Sequence, residues 1–99
     1  MAAKKRAENE ARKKQEEEEK LSPEERDKIA RKKQAEVLKN EGNEFYKREQ
    51  FAEALKKYDE ALQLDENEIM YINNKATAYF EMKDYEKCIE ECDKAIEKS

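Results

Sequence analysis

Histidine is absent from this 99-residue chain, and glycine and proline occur once each. Without histidine, neither a Ser/His/Asp triad nor a Cys/His pair can form, and a single glycine cannot build a phosphate-cradling loop. Two cysteines, four positions apart and with no histidine to join them, fall short of the four ligands of a structural zinc site. No stretch approaches the ~20 apolar residues that span a membrane. The basic N-terminus is not followed by the apolar run of a secretory signal. The cysteines therefore read as reduced thiols in the cytosol or nucleus, and a cytoplasmic protein is expected. Carboxylates are plentiful, but none is patterned into a pocket that would raise its pKa. Catalysis, a cofactor and a resident metal are not expected.

What is abundant is charge, 48% of the chain, and it is divided unevenly. Residues 1–34 carry a net +3 and residues 35–99 a net −7. Large apolar side chains follow the same divide, with none between Ala2 and Lys20 and a recurrence every three or four residues from Val37 onward. Residues 1–22 read as a charged linker, either disordered or a solvated helix, since no apolar face offsets the entropy of docking it. The clusters Lys4-Lys5-Arg6 and Arg12-Lys13-Lys14 are each followed by acidic residues, including Glu16–Glu19, so the local field largely cancels. A nucleic-acid partner is not expected; a steep salt dependence of DNA or RNA affinity would signal one. Ser22-Pro23-Glu24-Glu25 has the form of a helix start, with a capping hydroxyl, proline in the first turn and Glu25 three after the cap. The apolar stripe that follows through Ile29, Val37 and Leu38 runs on past Gly42, although a glycine within a helix costs about 1 kcal/mol relative to alanine. Something gains from the missing side chain.

Shifting the chain by 34 residues superimposes its residue classes. Leu38 falls on Ile72, Phe45 on Tyr79, Tyr46 on Phe80 and Phe51 on Tyr85. Ala54 falls on Cys88, Tyr58 on Cys92, Ala61 on Ala95 and Leu62 on Ile96. Apolar spacings of three, four and seven within each unit predict helices at 23–48, 52–64, 68–82 and 85–97, with breaks at Glu49–Phe51 and Lys83–Asp84. An all-α chain results: 23–34 extends the first helix, 35–68 is one helical hairpin and 69–99 a second.

The first unit, GNEFYKREQFAEALKKYDEALQLD, resembles the tetratricopeptide repeat. Gly42, Phe45, Ala54, Tyr58 and Ala61 stand where that family has its Gly, Tyr, Ala, aromatic and Ala, and Ala76, Tyr79, Cys88, Cys92 and Ala95 take those places in the second unit. Leu38 replaces a frequent Trp, and Glu66 a frequent Pro. The resemblance implies an α-solenoid of stacked hairpins. Each repeat buries one face only against a neighbour, so about three are needed for independent stability. The face carrying Ile89, Cys92 and Ile96 therefore lacks its usual cover, and a fragment of a longer protein, of marginal stability or prone to self-association, is expected.

Lys39 and Asn43, four apart, project from one side of the first helix of repeat one, and Asn74 belongs to the first helix of repeat two. First helices of stacked repeats line the concave groove. An ammonium and two carboxamides there can hold a carboxylate by charge-assisted hydrogen bonds. The strings KNEGNEFYK and YINNKATAYFE are similar to the carboxylate clamp of co-chaperone repeat domains, above all the middle domain of the heat-shock organising family. The resemblance implies binding of the C-terminal Glu-Glu-Val-Asp tail of the seventy- or ninety-kilodalton heat-shock chaperones. It places Lys39, Asn43 and Asn74 in the clamp and Tyr46 and Glu81 beside it. In that family a Lys and an Arg of the third repeat complete the clamp; their positions would fall beyond Ser99. The net −7 of the repeats offers such an anion no long-range steering. A scaffold that binds another peptide or helix, or its own copies, is the other reading. Cys88 and Cys92 fall at repeat positions 54 and 58 and are expected to pack as small apolar side chains.

Overall fold

The computed structural model describes residues 21–99, and the chain divides into two units, Met1–Ala30 and Arg31–Ser99. The linker anticipated at 1–22 lies outside the described residues except for its last two. In the first unit Ser22 opens a helix: its Oγ accepts from the Glu25 backbone N–H at 3.2 Å. Pro23 follows at a position whose N–H would have no partner. Helix α1 runs over Pro23–Lys47, α2 over Phe51–Leu64, α3 over Ile69–Glu81 and α4 over Tyr85–Lys98. The described residues contain no strand, and the architecture is all-α. Phe51, anticipated as part of a break, instead begins α2. The Ala54 N–H already reaches the Gln50 carbonyl at 3.0 Å, which starts the helical ladder one residue earlier.

The two hairpins close in the same way. At the end of α1 the Gln50 N–H reaches back to the Phe45 carbonyl at 2.9 Å and the Glu49 N–H to Tyr46 at 3.0 Å. Thirty-four positions later Asp84 bonds Tyr79 at 2.9 Å and Lys83 bonds Phe80 at 3.0 Å. This is the Schellman pattern, which needs a left-handed residue at the turn. Glu49 and Lys83 supply it at φ 61° and 63°. The residue after each turn starts the next helix, but only Asp84 caps it through its side chain, accepting from the Lys87 N–H at 3.4 Å. Gln50 makes no such bond.

Helix α3 packs against both α2 and α4. The buried apolar residues are Ala35, Ala54, Leu55, Tyr58, Ala61, Tyr71, Ile72, Ala76, Ala78 and Ala95. Alanine dominates, so the helix backbones approach closely and the core is thin. Charge stitches the helices as well. Lys57 Nζ lies 3.2 Å from Glu41 Oε2, joining α1 to α2. At the positions one repeat on, the signs are exchanged: Lys75 of α3 lies 3.3 Å from Glu91 of α4. Lys75 also lies 2.6 Å from Asp59 of α2, tying the second hairpin to the first. Lys98 Nζ donates to the Glu66 carbonyl at 2.8 Å, pinning the link between hairpins to the end of α4.

One face of α4 is bare. Ile89 is 61% and Ile96 71% exposed, and Cys92 is exposed beside them. Cys92 is thus not the packed residue anticipated; among the described residues no helix covers that face. Cys88 is half-buried. Phe80 and Tyr85 are also largely exposed, yet their rings meet edge to face at 5.7 Å, repeating the 5.4 Å contact of Tyr46 with Phe51.

Candidate functional site

The anticipated groove residues divide between α1, which carries Lys39, Asn43 and Tyr46, and α3, which carries Asn74 and Glu81. A glycine inside α1 brings α2 close behind them. A Cβ on Gly42 would stand 2.6 Å from Tyr58 Cε1 and 2.9 Å from Cδ1, distances no carbon pair tolerates. The missing side chain noted in the sequence therefore makes room for an aromatic ring. That ring is buried, and its hydroxyl donates to Asn43 Oδ1 at 2.6 Å. Burial is the first cause that pushes the Tyr58 phenol above its ordinary pKa, and the neighbouring Tyr46 is the second.

Tyr46 is half-buried and reaches across to α3. Its phenol is raised first by burial, then by the Glu81 carboxylate's charge and by a hydrogen bond to that carboxylate. The structure thus bonds Asn43 to Tyr58 and sets the Tyr46 phenol within the influence of Glu81. Lys39 and Asn74 are half-buried on their helices. Among the described residues neither side chain forms a hydrogen bond or ion pair, so an ammonium and a carboxamide are uncommitted. Such groups, with the Asn43 amide, can bind an anionic acceptor.

The sequence reading missed three residues. Tyr58 was legible as a packing position but not as a partner of Asn43, because a bond across fifteen positions leaves no local trace. Lys75 and Glu91 were overlooked because lysine and glutamate are rarely buried. Their signal was present in the repeat alignment, where the pair Glu41/Lys57 becomes Lys75/Glu91 with the charges reversed. A cavity of about 450 Å³ lies beside this network, lined by Asp59, Leu62, Ile72, Lys75, Glu91 and Lys94 among others. Its charges are already compensated, with Lys94 also 3.2 Å from Glu91. The Cys88 thiol is raised by partial burial and by Cys92, which disfavours the reactive thiolate. Among the described residues no group of three or more His, Cys, Asp or Glu could hold a metal ion, and no helix is long and apolar enough to cross a membrane.

Helical hairpins at a 34-residue period, closed by matching turns, define a repeat protein of the α-solenoid class. Residues 42–82 match the tetratricopeptide-repeat family. Its repeats are similar to those of the Hsp70-Hsp90 organising protein of Plasmodium falciparum (isolate 3D7), 53% identical over 64 residues. That match covers 65% of this chain and 11% of that protein. Hsp70-Hsp90 organizing protein 3 of Arabidopsis thaliana is 48% identical over 60 residues, covering 61% of this chain and 11% of that protein. Stress-induced-phosphoprotein 1 of Caenorhabditis elegans is 44% identical over 59 residues, 60% of this chain and 18% of that protein. The chain spans about a tenth of the length of the first two relatives.

Proposed function

We propose that the repeats are a chaperone-docking module of a cytoplasmic co-chaperone, non-enzymatic, which grips the free C-terminus of an extended acidic peptide. Lys39, Asn43 and Asn74 hold the carboxylate, and Tyr46 and Glu81 line the groove upstream of it. The observation that carries this reading is the pairing of an uncommitted Lys39 ammonium with an uncommitted Asn74 carboxamide on the two first helices. Relatives named for Hsp70 and Hsp90 point to the tails of those chaperones as the peptides. The short-range donors act against the net −7 of the repeats, so association gains little from steering and affinity is modest.

A fluorescent peptide ending in Met-Glu-Glu-Val-Asp should bind, and Lys39→Ala or Asn43→Ala should abolish binding in an anisotropy titration. Equal binding by the amidated peptide would sink the proposal. The exposed face of α4 with Ile89 and Ile96 supports a second reading, a scaffold for a helix or for copies of the chain. Under that reading acid and amide peptides compete alike.

A further inference from the structure

A carboxamide is ambiguous: turned one way it offers two N–H donors, turned the other a carbonyl acceptor. In repeat one the ambiguity is removed from behind. Tyr58 is 2% exposed, and a buried phenol needs an acceptor for its proton. The acceptor is Asn43 Oδ1, at 2.6 Å. With Oδ1 engaged, what Asn43 has left to present is its Nδ2 with two donors. Gly42 is the condition for this contact, since any side chain there would occupy the place of the Tyr58 ring edge.

We infer that Tyr58 is a positioning residue which locks Asn43 in its donor orientation and so makes the groove selective for a carboxylate over a carboxamide terminus; this rests on the clamp reading of Lys39, Asn43 and Asn74. The lock is specific to repeat one. One repeat on, Gly42, Asn43 and Tyr58 are replaced by Ala76, Thr77 and Cys92. The Thr77 hydroxyl turns back to donate to the Asn73 carbonyl of its own helix at 2.9 Å. The device therefore accompanies Lys39, the cation of the clamp, and is not a general feature of the repeat. Locked amide and ammonium together offer only donors. A terminal carboxylate satisfies them, whereas a terminal amide sets its own N–H groups against them.

Tyr58→Phe removes one oxygen and keeps the ring, so the experiment is this variant of the whole chain. The acid peptide should bind about five- to tenfold more weakly, the worth of one hydrogen bond to a charged ligand's partner. The ratio of acid to amide affinity should fall towards one, while helicity is retained. A loss of packing alone would weaken both peptides equally and leave that ratio unchanged, which would overturn the inference and leave the clamp intact. Side-chain amide resonances of Asn43 give a reading that needs no ligand. They should shift and lose their slow exchange in Tyr58→Phe; unchanged resonances would refute the lock even if no peptide bound, an outcome that by itself defeats only the clamp. Should the variant not fold, the Tyr58 hydroxyl proton of the unaltered protein decides. Slow exchange with a through-space contact to the Asn43 side chain supports the lock, and a freely exchanging hydroxyl overturns it.

Discussion

Lys75 is a charged side chain only 9% exposed, and two carboxylates hold it there. Burial alone would lower its pKa; the hydrogen bonds and charges of Asp59 and Glu91 outweigh that and raise it. Glu91, 5% exposed, depends on Lys75 in return and keeps Lys94 in addition. Removing one partner of a buried pair costs more than the pair contributes, because the other charge is left without compensation. Lys75→Met should lower stability by about 2–3 kcal/mol in urea titration, with Lys94 and solvent at Asp59 limiting the loss. Adding Glu91→Leu should recover most of it. If the double variant were as unstable as the sum of the two single ones, the two charges would not be coupled and this account would be wrong. A lysine between Asn74 and Ala76 looks like any surface residue in the sequence. Its burial became visible only when α2 and α4 placed Asp59 and Glu91 around it.

At the scale of the element, helix ends were legible to within about one residue because apolar spacing, Ser22-Pro23 and the 34-residue shift all act locally. That Lys39, Asn43 and Tyr46 share α1 and that Asn74 and Glu81 share α3 was legible for the same reason. What holds α1 to α2 was not. The closure of each hairpin was hidden too, since glutamate and lysine stand where a left-handed turn favours glycine. A Cβ in that conformation costs roughly 1 kcal/mol. Lys83→Gly should therefore stabilise the fold by about 0.5–1 kcal/mol, after allowance for the greater freedom glycine gives the unfolded chain. Thermal denaturation followed by circular dichroism checks it, and a lowered midpoint would show that the Lys83 side chain holds something the turn needs.

At the scale of the whole molecule, the groups whose protons the fold retains share one sign. The phenols of Tyr46, Tyr58 and Tyr71 and the ammonium of Lys75 are all raised. The folded chain binds these protons more tightly than the unfolded chain, so their contribution is complete below the unfolded values and is lost as pH rises through the folded ones. The urea midpoint should be nearly flat between about pH 6 and 8 and fall once pH exceeds about 10. A midpoint that rose in alkali would contradict the sign.

The exchange of charges between the two hairpins has a further consequence for copies of the chain. Stacked repeats carry unlike ends, and unlike ends that fit one another polymerise without limit unless the rotation closes a ring. If one copy continued the solenoid of another, Glu41 would take the place that Lys75 holds against Asp59, and would face Asp93. Two carboxylates would meet where the internal junction has a 2.6 Å ion pair. Like charge thereby disfavours between copies the joint that repeats within the chain, though charges this exposed oppose it only weakly.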